Sequence, residues 1–521
     1  MAEAIEVVVH SSPSAATGSR RRRRGTVMSS ALAAACLLAA CAPAAGPGAE
    51  KTAPATTIHP RDAAAVAAAT ANTPVRVAAG TAAADTGLSV FRPQYPSTYQ
   101  RRTSPPVLIR NATILTATGV EIAGGAILLR GGRIAAIGQS LEAPESAIVV
   151  DGTGRFVTPG LIDSHSHLGV YAAPGTAAES QGNEMTNPNT AQVWAEHSFW
   201  PQDPQLPLAL AGGVTTVQVL PGSANLIGGR SVVVHLVPGR SVQEMKFPGA
   251  PYGLKMACGE NPVRVYGGRG QAPLTRMGNV AGYRSAFIAA ERYRRRWDAW
   301  LASRQGEAPD RDLQLETLAD VLRGRILVQN HCYRSDEMAL MLDLAREFGF
   351  RIRSFHHAVE AYKIGDLLAR ESTAVSIWAD WWGFKMEALD GIPQNAALVT
   401  AAGGRVVIHS DDPGGLQRLN QEAAKAMWAG RRAGIPISRD QALRWVTANP
   451  AWVLGLEDRI GTLEVGKNAD IVVWSGDPFS VYARAEQVYI DGALLYDRAD
   501  PRTWWRTDFE LGNVPMPGSD R

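Results

Sequence analysis

The sequence predicts an α/β protein whose main body is a (β/α)8, or TIM-type, barrel joined to a small β-sandwich built from N- and C-terminal segments. Two observations predict it. Roughly residues 159–460 alternate apolar strand-like runs with helical patterns, over a length typical of such barrels. Short β runs separated by glycine turns precede this stretch, and another β segment follows it. An open, doubly wound parallel sheet is the alternative architecture.

The length and composition are those of a globular protein. The chain has 521 residues, of which 45% are hydrophobic and 19% charged, so wholesale disorder and a multi-span membrane protein are excluded. The formal net charge of +3 comes from the first forty residues, which carry Arg20–Arg24 against Glu3 and Glu6. The rest of the chain has 47 basic and 47 acidic side chains. Its charge therefore gives no support to nucleic acid as a partner.

The first forty residues resemble an export signal. The basic run Arg20–Arg24 is followed by small and apolar residues 27–40, which are too few to span a bilayer. The segment ends in Leu-Ala-Ala-Cys, which resembles a bacterial lipobox with Cys41 as the lipidated residue. Ala42 after this cysteine favours the periplasmic face of the outer membrane, where two acyl chains give stable anchoring. An ordinary signal peptide with a periplasmic product is the alternative.

Composition and pattern divide the chain into five parts. They are 1–40 as a lipoprotein signal peptide, 41–104 as a flexible stalk rich in Ala, Pro and Thr, 105–158 with 465–497 as the composite β-sandwich, 159–464 as the barrel, and 498–521 as a C-terminal tail.

Individual elements follow from local periodicity. The runs at 107–109, 126–129 and 133–137 are short strands with Gly-Gly turns between them. Apolar strand-like runs at 214–220, 325–328 and 405–408 fit the barrel, and residues 335–348 have helical spacing with Met338, Leu342 and Ala345 on one face. Neither a G-x-G-x-x-G turn after a strand, nor a Walker A motif, nor a G-x-S-x-G elbow occurs. Nucleotide binding and serine-hydrolase chemistry therefore lack their usual signals.

The most informative motif is the stretch 158–167, Thr-Pro-Gly-Leu-Ile-Asp-Ser-His-Ser-His. His165 and His167 are two residues apart, so on a strand they point to the same side. At the carboxyl end of a barrel strand, both would face the mouth where active sites of this fold lie. Two neutral imidazoles on one side form a chelate for a cation such as zinc.

This stretch resembles the first-strand motif of the amidohydrolase superfamily, and the resemblance covers about residues 105–495. It looks closest to the imidazolonepropionase-like branch, which includes Xaa-Pro dipeptidases. The family's metal-dependent hydrolase barrel implies further ligands on later strands. In this sequence they correspond to Lys255, His331, His357 and Asp411.

At two places in the sequence, two adjacent residues are both candidate metal ligands. The resemblance selects His357 over His356, because His357 begins the pattern H-x-x-E-x-Y-K. It also selects Asp411 over Asp412, for which a helix cap or a loop position is expected. His409 has no role that the resemblance assigns.

Substrate-binding candidates are less specific. Tyr333 and Arg334 follow His331 directly and could bind a substrate carboxylate, although a salt bridge to the next helix is the plain alternative for the arginine. Glu184 lies in the loop after the first barrel strand, where solvent-facing polarity is the alternative. Cys258 and Cys332 are the only cysteines of the body. We expect two buried free thiols there, and one disulfide, as exported proteins can form, is the alternative.

The resemblance implies two Zn²⁺ per subunit, bridged by a carboxylated Lys255. A metal-bridging hydroxide would attack an amide or peptide carbonyl, and Asp411 would carry the proton to the leaving nitrogen. Because an exported enzyme meets peptides, a dipeptidase-like activity is the leading hypothesis. A hydrolase of a cyclic amide or lactone, and a non-catalytic ligand-binding lipoprotein, are the alternatives. We expect a small-molecule or dipeptide substrate and membrane contact only through the lipid anchor. The sequence does not determine the oligomeric state, and a homo-oligomer is one of the alternatives.

Overall fold

The computed structural model describes residues 95–509. The predicted signal peptide with Cys41, nearly all of the predicted stalk and the end of the predicted tail lie outside the described residues. Within the described part, no helix is long and apolar enough to cross a membrane.

The first sheet joins the two ends of the body. Its eight strands are β1 (Val107–Leu115), β2 (Glu121–Arg130), β3 (Arg133–Gly138), β4 (Ile148–Asp151), β5 (Phe156–Pro159), β14 (Ile471–Trp474), β15 (Ala485–Ile490) and β16 (Ala493–Asp497). The strand order is β16-β15-β14-β5-β1-β2-β3, with β4 paired to β1. The antiparallel pair of β5 and β14 connects the early strands to the late ones. The predicted sandwich is thus one continuous hydrogen-bonded sheet.

The second sheet forms the barrel between these two segments. Its strands are β6 (Leu161–Ser166), β7 (Val214–Val219), β8 (Ile227–His235), β9 (Gly253–Ala257), β10 (Leu327–Cys332), β11 (Ile352–His357), β12 (Ala374–Ile377) and β13 (Arg405–Ile408). They are hydrogen-bonded in sequence order. Just beyond β13, the Asp411 N–H donates to the carbonyl of His165 on β6 at 3.2 Å. The sheet is therefore a nearly closed eight-stranded barrel.

One strand departs from the predicted all-parallel order. Strand β8 runs antiparallel to both β7 and β9, whereas the remaining neighbours pair in parallel. Only residues 220–226 connect β7 to β8. A parallel crossover needs about a dozen residues or more, so this short connection permits only a hairpin. The prediction of eight strand-helix units was wrong at this position.

Helices cover the barrel between its strands. They are α1 (Gln205–Ala211), α2 (Val242–Met245), α3 (Glu260–Gly267), α4 (Arg276–Ser303), α5 (Leu313–Leu322), α6 (Ser335–Phe348), α7 (Gly365–Arg370), α8 (Asn395–Ala401), α9 (Pro413–Leu416), α10 (Leu419–Arg432), α11 (Arg439–Arg444) and α12 (Ala448–Val453). Helix α6 confirms the predicted bounds, and Met338, Leu342 and Ala345 are buried on its inner face. It ends at Gly349, whose left-handed conformation (φ 71°) suits glycine.

The two body cysteines form a disulfide, which corrects the expectation of free thiols. Cys258 follows β9 and Cys332 ends β10, and the parallel register pairs Ala257 with His331. This register brings the two Cα atoms to 5.2 Å, a separation that a disulfide spans without backbone movement. The bond covalently ties together the two strands that carry Lys255 and His331.

Candidate metal centre

The predicted ligands meet at the carboxyl end of the barrel. His165 lies on β6 and His167 just after it, while Lys255, His331 and His357 lie on β9, β10 and β11. Asp411 follows β13. The histidines and Asp411 lie at or just beyond the carboxyl ends of their strands, whereas Lys255 is the middle residue of β9. The strands that carry them share one direction, so their carboxyl ends meet at the same rim.

Four of these side chains are in direct contact. The Nε2 atoms of His165 and His167 are 3.3 Å apart, and each lies 3.2 Å from Oδ1 of Asp411. The Nζ atom of Lys255 lies 3.5 Å from His165 Nε2 and donates to the carbonyl of Pro221 at 3.1 Å. Lys255 is fully buried. The lysine is therefore held beside the histidine pair.

The other two histidines continue this cluster. His357 Nδ1 lies 3.8 Å from Oδ2 of Asp411, and the His357 ring is 4.6 Å from that of His331. His331 Nε2 lies 3.4 Å from the side-chain amide nitrogen of Asn261. The structure thus brings together all six residues predicted as ligands.

Two of these residues have an uncommon backbone conformation. His357 has a φ of 70° and Asp411 a φ of 55°, in the left-handed region that residues other than glycine rarely adopt. Such strain costs on the order of 1–3 kcal/mol per residue and persists where the surrounding structure fixes it. Both conformations occur where a strand ends and the chain turns into the barrel mouth. This turn directs the two side chains toward the cluster.

Burial sets the charge of the imidazoles. It lowers the pKa of His165, His331, His356 and His357 well below the usual value of histidine. Neutral imidazoles at physiological pH keep a lone pair for a cation. For Asp411, burial acts to raise the pKa, but interactions with His357 and His167 outweigh it and lower the pKa below its usual range. The cluster therefore combines neutral nitrogen donors with a carboxylate.

The donor atoms fit a divalent cation. Those of His165, His167 and Asp411 lie within 4.8 Å of one another, as do those of His165, His357 and His409. Both ring nitrogens of His357 and the Nδ1 atom of His331 are buried without a hydrogen-bond partner. Buried polar atoms without partners are costly, and coordination of an ion would satisfy them. Imidazole and carboxylate are also the ligand types of zinc sites.

The neighbouring candidates have other contacts. His356 uses both nitrogens, since Nδ1 lies 2.8 Å from His165 Nδ1 and Nε2 lies 2.8 Å from Gln329 Oε1. The contact with Nδ1 of His165 fixes the orientation of that ring, as outer-shell partners of metal ligands do. Asp412 caps helix α9 by accepting from the Gly415 N–H at 2.6 Å, which confirms the expected cap.

The predicted substrate residues differ in position. Tyr333 is buried, and its ring stacks on His357 with centroids 5.3 Å apart. Arg334 forms a bidentate pair with Asp336 at 2.8 and 2.9 Å, so the arginine makes a salt bridge to the next helix. Glu184 is exposed, and its backbone carbonyl accepts from Asn225. Of these three, only Tyr333 contacts a predicted ligand.

Sequence reasoning missed two residues of the centre. His409 lies in the second donor group, and its spacing of two from Asp411 repeats the signal of His165 and His167. Trp378 stacks on His357 with ring centroids 4.3 Å apart. No sequence signal distinguishes this tryptophan, because an aromatic residue after a strand is usually part of the core.

Comparisons with known proteins identify the family of this chain. The model described as "Amidohydrolase family" matches residues 364–496. An amidohydrolase structure from Thermotoga maritima MSB8 is 38% identical, with a TM-score of 0.70 over 75% of this chain and 100% of that one. Amidohydrolase tasK of Hapsidospora irregularis is 36% identical over 75% of this chain but only 43% of its own length, so the chain spans less than half of that relative. Imidazolonepropionase of Caulobacter vibrioides is 24% identical over 73% of this chain and 92% of that protein. The chain belongs to the amidohydrolase family, whose named members include hydrolases of carbon–nitrogen bonds.

Proposed function

We propose that this protein is an exported, metal-dependent amidohydrolase that cleaves the C–N bond of a small amide or dipeptide. The observation that carries the proposal is the convergence of four imidazoles, one carboxylate and one buried lysine at a single barrel rim. His165, His167, His331, His357 and Asp411 would hold one or two divalent cations. Zinc suits this donor set.

The cation and the side chains of the protein would supply different parts of the reaction. A bound divalent cation supplies Lewis acidity, which polarises a carbonyl and makes water more acidic. Asp411 would take a proton from the attacking water at its carboxylate and pass it to the leaving nitrogen. Its position 3.2 Å from both histidines supports this role, because it places the carboxylate at the ligand cluster itself.

Lys255 has a separate proposed role. Carboxylation of its amine would convert a cation into an anionic bridging ligand beside His165, from which its Nζ atom is 3.5 Å away. Complete burial of the lysine supports this proposal, since desolvation favours the neutral amine that reacts with CO₂. The modified lysine would then join two cations.

One alternative to a linear amide or dipeptide substrate is supported by a specific observation. The similarity to an imidazolonepropionase over 92% of that protein favours a cyclic amide as substrate. A panel of dipeptides, linear amides, lactams and lactones, assayed with and without a chelator, tests both. We expect hydrolysis of at least one C–N substrate, its loss on chelation and its recovery with Zn²⁺. If metal-loaded protein hydrolyses nothing in the panel, the proposed hydrolase activity is contradicted, and the non-catalytic ligand-binding lipoprotein becomes the better explanation.

Export is supported by two independent features. The basic and apolar N-terminal segment resembles a signal, and the disulfide between Cys258 and Cys332 belongs to the chemistry of oxidising compartments. We expect the native protein to fractionate with the outer membrane and Cys41→Ser to abolish its acylation. Wild-type protein recovered in the cytosol without acylation or cleavage would refute the export proposal.

A further inference from the structure

His409 is a buried histidine at the metal centre that the family resemblance leaves without a role. We propose that His409 is an additional nitrogen ligand of this centre and binds the cation together with His165 and His357. The inference rests on the metal centre of the proposed function, and it adds a residue to the ligand set that the family motifs imply. The proposal predicts a cation position whose ligands include three imidazoles.

The backbone places His409 at this centre. It directly follows β13, and its N–H donates to the carbonyl of Ile377 on β12 at 3.1 Å, so the residue continues the strand pairing. Asp411 lies two residues further along the chain and contacts His165 and His167. The His409 ring is 5.1 Å from that of His165 and 5.0 Å from that of His357. One ligand atom from each of His165, His357 and His409 lies within 4.8 Å of the others.

The ring nitrogens of His409 favour ligation over packing. The residue is 1% exposed, and neither nitrogen has a hydrogen-bond partner. An unsatisfied buried polar atom costs about 1–3 kcal/mol, which an apolar ring would avoid in a purely packing role.

Unpartnered nitrogens alone do not define a metal site, as His235 illustrates. This histidine is equally buried, and its ring nitrogens also have no hydrogen-bond partner, but its ring packs against the rings of Tyr99 and Phe247. Among the described residues, it belongs to no group of potential ligands within metal-binding distance. His409 differs because its neighbours are themselves donors. His235 is therefore the matched control.

The available donor atoms limit the arrangement. His165 directs Nδ1 to His356 at 2.8 Å, which leaves Nε2 as its atom for a cation. His165 belongs both to the group with His357 and His409 and to the group with His167 and Asp411, so its Nε2 atom would have to serve either position. A cation bound by His409 would therefore compete with one held by His167 for the same histidine. His409 should consequently affect how many ions the centre holds.

The first experiment replaces the nitrogens but keeps a ring. Metal-stripped protein carrying His409→Phe is titrated with Co²⁺ and its visible d–d spectrum recorded, with His235→Phe as the control. We expect at least a roughly tenfold higher Kd for Co²⁺ and an altered spectrum in His409→Phe, because losing even an outer-shell partner of a metal ligand costs about 10–100-fold in affinity. The control should match the wild type in both readouts.

A second variant gives a positive signal that a packing role would not produce. His409→Cys should bind Co²⁺ and show a thiolate-to-cobalt charge-transfer band in the near ultraviolet, which the wild type lacks. Absence of this band, together with wild-type affinity and spectrum in folded His409→Phe, would overturn the proposal. If neither variant folds, the wild-type Zn²⁺ crystal structure decides by whether a His409 nitrogen lies about 2.0–2.1 Å from the ion.

The outcome also separates this inference from the proposed function. Wild-type protein that binds Co²⁺ and hydrolyses an amide, but shows no dependence on His409, would refute only the additional ligand. Wild-type protein that binds no divalent cation would refute the metal-dependent function itself, and with it the role of His409.

Discussion

We expect replacement of Asp411 by asparagine to lower kcat by about 10³-fold, within the range lost when a general acid–base group is removed. The substitution keeps the shape of the side chain but removes the carboxylate that lies 3.2 Å from both His165 and His167. A proton can then be neither taken from water nor returned to the leaving nitrogen. Steady-state kinetics on the best substrate of the amide panel, with metal content measured in parallel, checks this expectation.

The adjacent Asp412 provides the matched control. Its carboxylate accepts from the Gly415 N–H at the start of α9, and asparagine is an equally good helix cap. Asp412→Asn should therefore retain wild-type kcat and stability. Full activity of metal-loaded Asp411→Asn would remove Asp411 from the proton transfer.

We expect replacement of His165 by alanine to abolish stable metal binding. His165 has the most contacts in the cluster, with His167, Lys255, His356 and Asp411 around its ring. Its loss takes away the histidine that both groups of potential ligands share. Metal affinity should fall by more than ~10²-fold, beyond the range for losing an outer-shell partner. Metal analysis of the purified variant, after dialysis against a weak chelator, measures the effect.

His197 is the control for this second variant. It is an exposed histidine whose ring contacts Tyr95 and Trp194, away from the candidate ligands. His197→Ala should keep its metal. Retention of a full metal complement by folded His165→Ala would contradict the proposed ligand set.

Most of the candidate ligands could be predicted from the sequence, because ligands on one side of a strand are spaced two residues apart. His165 and His167 share a side for the same geometric reason in any strand, and the apolar run before them locates the strand end. His331 and His357 needed the family motif in addition, since a single histidine in an apolar run is equally compatible with the core. His409 was missed although its spacing from Asp411 carries the same information as the first pair.

The direction of β8 was a different kind of error. Every residue of this strand is buried, although Arg230, Ser231 and His235 are polar. Burial on both faces does not by itself distinguish a parallel from an antiparallel strand. The length of the preceding connection carried the missing information. The disulfide could not be predicted, because 74 residues separate its cysteines and only the register of β9 with β10 brings them together.

The most direct test of the metal centre is a crystal structure of the purified enzyme with anomalous data at the zinc edge, after reconstitution with Zn²⁺. We expect at least one anomalous peak at the carboxyl end of the barrel, about 2.0–2.1 Å from nitrogens of the histidine cluster that includes His165. An active enzyme whose map has no peak among His165, His167, His331, His357 and Asp411 would contradict this expectation.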